Sequence, residues 1–390
     1  EDNSTRMANT YLSRSVSSSG DRQKFTISFW VKRTLIQSSG SQYIISQGTD
    51  ANNNFAVNFP SSGKLDVWDY GSAYNGRKQT NRLFRDINSW YHIVIRFDTT
   101  LATAGDRMRL YVNGVQETSF AASTDPSQNY NTHVNQSGNP FHIGYYTSGS
   151  EYFDGIVSHF HLCDGYSYGP DSFGSTDATT GEWKINTSPS VSYGTNGFFI
   201  LKDGNSVTDQ SGQGNNLTVA QGTLTNTEDN PSNVFAILNK LTLAGSQFTV
   251  RYGGNSTYGV TSNAWRYLTG TLAANSGKFY WEVKYDGFYS SDPDNVVAGI
   301  MDIDQAVQTA SNGKFFALSR GYGLDFRDGK TINGTSTRGN GTTYSADLAP
   351  GDILGVAMDL DNNKLYFAKN GTWQNSSNPE NGTNPAFTFS

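Results

Sequence analysis

The stretch Phe25-Thr-Ile-Ser-Phe-Trp-Val-Lys32 decides the fold class. Its apolar residues recur at every second position, which places them on one face of an extended, half-buried strand. The same period of two recurs in Trp90–Asp98 and, in the second half of the chain, in Lys278–Tyr285. Turn signals such as Asn113-Gly114 separate these short strands, and no window of a dozen residues has a convincing helical period. The sequence therefore predicts an all-β protein built from two β-sandwiches in tandem.

Composition limits the possible partners. The 390 residues include 23 Phe, 22 Tyr and 7 Trp, enough for a substantial core. Only 16% of the residues are charged and the net charge is −6, which argues against nucleic-acid binding and polybasic membrane attachment. No apolar run is long enough for membrane insertion. The single cysteine, Cys163, cannot form an intrachain disulfide, and we expect it to be a buried, inert thiol.

Changes in amino-acid composition along the chain predict its domain boundaries. The region Ser167–Asn196 is rich in Gly, Ser, Thr, Asp and Pro, and Asn226–Ser232 forms a second polar break. We predict a first sandwich over residues 1–166, a loop-rich connector over 167–245 and a second sandwich over 246–390. Short apolar runs at Phe198–Leu201 and Leu217–Ala220 predict that the connector adds an extra hairpin to a neighbouring sandwich.

Motifs in both halves resemble known domain families. Phe25–Lys32, Trp90–Asp98, Arg109–Val115, His142–Gly144 and Phe153–Ile156 follow one another as in a laminin G-like, concanavalin A-like jelly roll. Gly277–Val283, Gly351–Asp361 and Leu365–Gly371 resemble a SPRY domain, which is built on the same two-sheet sandwich. These resemblances imply a tandem of concanavalin A-like jelly-roll sandwiches.

The joined arrangement resembles a family of tailed-phage virion proteins, common in marine phages and described as tail fibre-like. Tyr11–Arg14, Pro126–Tyr130, Tyr193–Phe198 and Asp209–Asn215 add to this resemblance. It implies a non-enzymatic, extracellular protein of the virion surface, in a tail fibre or a surface-decoration fibre, whose partners are host cell-surface glycans and other virion proteins. A symmetric homo-oligomer, with a trimer favoured, is expected of such a fibre. A purely structural spacer and a polysaccharide depolymerase are the alternatives.

No catalytic residues are predicted. Glycoside hydrolysis needs two carboxyl groups facing across the sugar, and only seven Glu are present, none in a Glu-x-Asp-x-x-Glu strand. Glu282 is the best single candidate, and a solvent-facing strand residue is the simpler interpretation. The pairs Asp302/Asp304 and Asp359/Asp361 lie at strand ends and hairpins, where Asp caps turns.

Metal ligands are a separate question. His159 and His161 are spaced to share one face of a strand, and His92 or His142 could supply a third imidazole. Calcium, for which laminin G-like loops use Asp side chains and carbonyl groups, has candidate ligands in Asp50, Asp66, Asp69 and Asp154. The sequence predicts no required cofactor and leaves calcium as the candidate metal.

Aromatic residues in predicted loops are the better indication of a binding site. Flat rings stack on the apolar faces of sugars, and Tyr and Trp add a polar group at low entropic cost. The candidate ligand-binding residues are Trp68, Tyr70, Tyr74, Tyr145, Tyr146, Tyr152, Tyr289 and Trp373.

Overall fold

The computed structural model describes residues 10–87, 89–149, 151–202, 206–226, 229–232, 234, 236–239, 248–251, 254–259, 265, 267–287, 296–306, 314–335, 337, 339 and 341–389. Its contacts divide the chain into unit 1, Glu1–Phe235, and unit 2, Ala236–Ser390. The division falls inside the segment that we predicted to be a connector.

Unit 1 contains sixteen described strands. They are β1 (Tyr11–Arg14), β2 (Lys24–Arg33), β3 (Ser41–Asp50), β4 (Asn53–Pro60), β5 (Lys64–Gly71), β6 (Tyr74–Leu83), β7 (Tyr91–Asp98), β8 (Met108–Val112), β9 (Val115–Gln116), β10 (Phe120–Thr124), β11 (Phe141–Ile143), β12 (Gly155–Asp164), β13 (Gly174–Thr176), β14 (Trp183–Ile185), β15 (Phe198–Ile200) and β16 (Thr218–Gln221). Single 3₁₀ turns lie at Ala104–Asp106 and Pro170–Ser172.

Two large sheets form the sandwich of unit 1. One has eight strands in the order β10-β6-β5-β4-β3-β11-β1-β16, and the other has six in the order β15-β12-β2-β7-β8-β9. Their facing sides bury alternate residues of each strand, for example Phe25 and Ile27 of β2 against Phe55 and Val57 of β4. The strand prediction at Phe25–Lys32 is confirmed because its apolar positions line this core.

The segment predicted to add a hairpin contributes one strand to each sheet instead. Strand β15 pairs with β12, with Phe160 opposite Ile200, and β16 pairs with β1 in the eight-stranded sheet. Phe198 and Ile200 enter the core of the sandwich. The two runs do not pair with each other because each finds an open edge of a different sheet.

The outer side of the six-stranded sheet is covered by residues 166–199. Phe173, Tyr193 and Phe199 form a small buried cluster there with Cys163 and Tyr111. The β13–β14 hairpin lies in the same segment, and Trp183 stacks on His92 of β7. This side of the sandwich is therefore sealed by the chain itself.

Besides a 3₁₀ turn at Phe315–Ala317, unit 2 has twelve described strands and one α-helical turn. They are β17 (Leu238–Asn239), β18 (Phe248–Arg251), β19 (Ser256–Gly259), β20 (Thr269–Gly270), β21 (Lys278–Lys284), β22 (Val297–Met301), α1 (Ile303–Ala306), β23 (Gly321–Asp325), β24 (Thr331–Asn333), β25 (Ile353–Asp359), β26 (Lys364–Lys369), β27 (Thr372–Trp373) and β28 (Phe387–Thr388).

The core of unit 2 lies between a five-stranded and a three-stranded sheet. The larger sheet has the order β21-β25-β26-β27, with β28 also pairing with β26, and the smaller has the order β22-β23-β24. Leu354, Val356 and Phe367 of the larger sheet pack with Leu324 and Phe326. The all-β sandwich class is confirmed, whereas the SPRY assignment stays a prediction. Within the described residues no helix is long and apolar enough to cross a membrane.

Candidate functional site

Six of the eight predicted aromatic residues gather on one surface, the outer side of the eight-stranded sheet. Together with Tyr11 and Tyr43 they form what we call the aromatic face, which comprises Tyr11, Tyr43, Trp68, Tyr70, Tyr74, Tyr145, Tyr146 and Tyr152. Period two explains the placement on β5, because Leu65 and Val67 point into the core and leave Trp68 and Tyr70 outside. Tyr74 is 40% exposed, and Tyr43 is the buried member of the set.

The first group of rings surrounds Trp68. The Tyr146 ring stacks on Tyr43 at a centroid distance of 4.1 Å, and Tyr43 meets the edge of Trp68 at 5.9 Å. Trp68 in turn contacts Tyr74 at 6.4 Å, and Tyr74 contacts Tyr70 at 5.0 Å. These contacts run from β3 across β5 to the start of β6.

The second group of rings surrounds Tyr145. Tyr145 stacks on Tyr11 of β1 at 4.5 Å and lies 5.1 Å from Tyr152. His142 of β11 lies beneath them, with its ring edge-on to both Tyr11 and Tyr145 at 5.4 Å. The consecutive residues Tyr145 and Tyr146 therefore belong to different groups and link them.

Hydrogen bonds hold the loop that carries Tyr145, Tyr146 and Tyr152. The Ser46 hydroxyl donates to the Tyr145 carbonyl oxygen at 2.8 Å, and the Thr147 backbone N–H donates to Ser46 Oγ at 3.0 Å. Tyr145 and Tyr152 also form a β-bridge. The rings of this loop are therefore fixed over β3 and β11.

Polar side chains lie among the rings near Trp68. Its indole N–H donates to Asn54 Oδ1 at 3.2 Å. Asp66 accepts two hydrogen bonds from Arg77, at 2.6 and 3.1 Å, and one from Gln79 at 2.6 Å. The Arg77 guanidinium also lies 4.3 Å from the centre of the Tyr74 ring. Asp66 is thus an ion-paired, almost buried carboxylate.

Desolvation changes the acid–base properties of three groups here. Burial lowers the pKa of His142 to about 4, so its imidazole is neutral at physiological pH. Desolvation raises the pKa of Tyr43, and the nearby Glu151 carboxylate, the second cause, raises it further. Desolvation also raises the pKa of Glu151, while a backbone hydrogen bond from Ser41 opposes the shift.

The expected loop positions are partly wrong. Trp68 and Tyr70 lie within β5 and Tyr74 begins β6, whereas Tyr145, Tyr146 and Tyr152 lie in a loop as predicted. Trp373 of unit 2 lies in the short strand β27, where its ring meets Tyr280 at 6.0 Å. Tyr289 lies outside the described residues.

Sequence reasoning missed Tyr11 and Tyr43. Tyr11 lies in a motif that we used only for the family resemblance, and Tyr43 sits where a bulge interrupts the register of β3 with β4. The alternation of Phe55, Val57 and Phe59 in β4 was the available signal that a sheet runs through this region.

The structure does not bring the predicted calcium ligands together. Asp50 caps the β3–β4 turn by accepting the Asn52 N–H at 2.7 Å. Asp69 is fully buried and accepts from the Tyr130 hydroxyl at 2.7 Å and the His133 N–H at 2.8 Å. Asp154 lies just before β12, and its backbone carbonyl oxygen accepts a hydrogen bond from the Thr34 N–H. Among the residues described, no three His, Cys, Asp or Glu side chains are grouped to hold a metal ion. The metal assignments stay predictions.

His159 and His161 lie together under the covering segment of the six-stranded sheet. Both are buried, and both rings pack against Phe199. His159 Nδ1 lies 2.8 Å from Ser158 Oγ, and His161 Nδ1 lies 2.9 Å from the Tyr193 hydroxyl. His142 cannot join them as a third ligand, because it lies on the outer side of the opposite sheet.

His92 forms a buried pair with Ser28, at 2.9 Å between Nε2 and Oγ. The Trp183 indole N–H donates to His92 Nδ1 at 2.9 Å. Nε2 must therefore carry the imidazole proton and donate to Ser28, which is the reverse of the arrangement that activates a serine nucleophile. Burial, with His159 as the second cause, lowers the pKa of His92 to about 3.

A cleft of about 630 Å³ lies at the edge of the segment that covers the six-stranded sheet. Its lining is polar and includes Tyr166, Ser192, Thr195, Ser211 and Gln213. Tyr166 is 41% exposed and stacks on Tyr168. The cleft lies on the opposite side of the sandwich from the aromatic face.

Comparison with known proteins agrees with this architecture. Residues 6–166 match the family model described as the concanavalin A-like lectin/glucanases superfamily. Unit 1 has a concanavalin A-like fold. The match ends before β13–β16, so the concanavalin A-like sandwich of this chain recruits strands from beyond the matched residues. A search of curated proteins found no match.

Several solved structures are similar to the chain. A heptameric pentraxin from Limulus polyphemus is 14% identical, with 55% of this chain and 90% of that chain covered and a TM-score of 0.33. A Bacteroides ovatus protein named for carbohydrate binding is 14% identical, with 56% and 59% covered and a TM-score of 0.36. The CBM40 module of a Ruminococcus gnavus IT-sialidase is 14% identical, with 40% and 80% covered and a TM-score of 0.28.

Proposed function

We propose that the chain is a non-enzymatic carbohydrate-binding protein of a phage virion surface, in a tail fibre or decoration fibre, that recognises glycans of the host. The gathering of eight aromatic side chains on the outer side of one sheet carries the proposal. Half-exposed rings offer flat apolar surfaces to sugars, and the tyrosine hydroxyls supply hydrogen-bonding groups.

The carboxyl groups near the aromatic face favour binding over cleavage. Asp66 is held by Arg77 and Gln79 and is almost buried, so it is poorly placed to attack a sugar or to activate water. Glu151 has the raised pKa that a general acid needs, and it is the observation on which a depolymerase would rest. We therefore keep the depolymerase as the alternative that a product assay excludes.

The placement on a virion rests on the order of motifs in the sequence and on its composition. A surface built from Ser, Thr, Asn and Gly, with only 16% charged residues, suits a fibre exposed to the medium. The proposal includes a homotrimer, and light scattering that shows a monomer at micromolar concentration would contradict it. The purely structural spacer is the alternative if no glycan binds.

The test is a binding assay of the purified chain on host cells and immobilised glycans, with and without EDTA. We expect saturable binding without shortened products, and a loss of binding in Trp68→Ala. The matched control is Tyr166→Ala, an exposed aromatic residue on the opposite side of the sandwich. Equal binding of the two variants would refute the assignment of the site, and shortened products would establish the depolymerase. Loss of binding in EDTA would add a calcium site.

A further inference from the structure

The aromatic face crosses the sheet rather than following one strand. Its rings belong to β6, β5 and β3, to the loop over β11 and to β1, which are neighbours in that order except for β4 between β5 and β3. Strands lie about 4.8 Å apart, so the five intervals from β6 to β1 span about 24 Å. A single sugar ring covers only a small part of this length.

The two groups of rings divide this length into two areas. The Trp68 group occupies the β6 end and the Tyr145 group occupies the β1 end, and the loop residues Tyr145 and Tyr146 join them. Between them, Tyr43 and Asn58 face each other across β3 and β4. Asn58 is 1% exposed, and its amide Nδ2 has no hydrogen-bond partner within the part of the chain that the structure describes. A buried donor without a partner is costly, so a ligand hydroxyl that reached this amide would form a favourable hydrogen bond.

The charge of the face selects the ligand. Arg77 forms an ion pair with Asp66, and Glu151 adds a second carboxylate beside Tyr43 and Tyr146. Lys64 of β5 shares this face with Asp66 by the period of two, so Lys64 and Arg77 balance Asp66 and Glu151. The face therefore has no excess positive charge to attract uronic acids or sulfated sugars.

We propose that the aromatic face binds an uncharged, linear polysaccharide that runs across the strands and contacts both groups of rings. This inference rests on the proposed function and adds the ligand class and its direction on the sheet. The Trp68 group is the main binding area, and the Tyr145 group extends it for longer chains.

The experiment measures affinity against charge and chain length. Neutral probes are laminarin, dextran and galactomannan, and anionic probes are alginate and carrageenan, followed by oligosaccharides, from a disaccharide to an octasaccharide, of the polymer that binds. We expect a neutral polymer to bind and the octasaccharide to bind at least about tenfold more tightly than the disaccharide, since contacts with both groups add. Trp68→Ala should weaken binding at every length, whereas Tyr11→Ala should weaken only the octasaccharide, by about tenfold. Tyr166→Ala is the control.

The outcomes separate this inference from the proposed function. Preference for alginate or carrageenan, equal affinity at all lengths, or unchanged octasaccharide binding in Tyr11→Ala would overturn the inference and leave glycan binding in place. If Trp68→Ala abolishes host-cell binding and Tyr11→Ala leaves it unchanged, the inference is likewise overturned while glycan binding stands. Failure to bind host cells and every polymer of either charge would overturn both. Thermal unfolding at the wild-type temperature confirms that each variant is folded.

Discussion

The ion pair between Lys32 and Asp229 tests whether unit 1 depends on residues far beyond the matched family region. Lys32 Nζ lies 2.7 Å from Asp229 Oδ2, and the two side chains are 1% and 0% exposed. The Trp90 indole N–H donates to the same carboxylate oxygen at 3.0 Å. Asp229 therefore fastens the end of unit 1 to β2 and to the residue just before β7.

Replacing Asp229 by Asn removes the charge but keeps the shape of the side chain. The Lys32 ammonium is then left buried without its counter-ion, which costs about 3–5 kcal/mol of unfolding free energy. For a unit of this size, each kcal/mol lowers the melting temperature by about 2–4 °C, so we expect a decrease of about 6–20 °C. Burial already lowers the pKa of Lys32, and loss of its proton in the variant would bring the result towards the smaller value.

Differential scanning calorimetry measures this change, with Asp106→Asn as the control. Asp106 and Arg109 form an ion pair at 2.5 Å, but their side chains are 41% and 29% exposed, so its loss costs at most about 1 kcal/mol. The double variant Lys32→Met, Asp229→Leu removes both charges and should recover part of the loss, because the buried Trp90 indole N–H still lacks its acceptor. A decrease in Asp229→Asn no larger than that of the control would refute the argument that this pair anchors unit 1.

Three further predictions concern titration, packing and thiol reactivity. Burial lowers the pKa of His92 to about 3 and that of His142 to about 4, so the unfolded chain binds more protons than the folded one below pH 6.5. The unfolding free energy should therefore be constant above that pH and fall as the pH drops towards 4, by about 1.4 kcal/mol per pH unit for each histidine. Urea titrations that give equal unfolding free energies at pH 7.5 and pH 5 would contradict this. In unit 2, a Cβ on Gly299 would lie 1.9 Å from the Tyr322 carbonyl oxygen, so Gly299→Ala should lower the unfolding free energy measured by calorimetry by about 1–3 kcal/mol. The control is Gly105→Ala, whose Cβ would meet no described atom within 4 Å and should change the unfolding free energy little. Burial raises the pKa of the Cys163 thiol, so Ellman's reagent should react with it only after denaturation; rapid reaction of the native protein would show that the covering segment opens.

The fold class could be predicted because its strands bury one face. Strand β2 and strand β7 alternate apolar and polar residues, and both were found. Strand β6, Tyr74–Leu83, could not be found in this way, because it contains only polar residues apart from its two ends and is held by pairing with β5 and β10. Register shifts in β3 disturb the period of two in the same part of the sheet.

The sequence predicts which residue types form the candidate site but not where these residues lie in the fold. Trp68 and Tyr70 were chosen because aromatic residues in loops favour binding, yet they lie on a strand whose neighbour β6 has no apolar pattern. Their meeting with Tyr11, which is far away in the sequence, depends on β1 pairing with β11. Sequence alone does not determine such long-range pairing, so it gave the residue types of the face and not its extent.

The aromatic rings on the two outer sides of the unit 1 sandwich differ in exposure, and this difference bears on the choice of site. Both sides carry aromatic rings, including Trp30, Phe199 and His161 on the six-stranded sheet, and these are at most 5% exposed. The chain buries them by returning over the sheet with Phe173 and Tyr193. The rings of the aromatic face include Tyr74 at 40% exposure, although exposed apolar surface carries a cost in solubility. The covered side still exposes Tyr166, so the gathering of several exposed rings on the aromatic face, rather than the exposure of a single ring, is the reason that we propose this face as the binding surface.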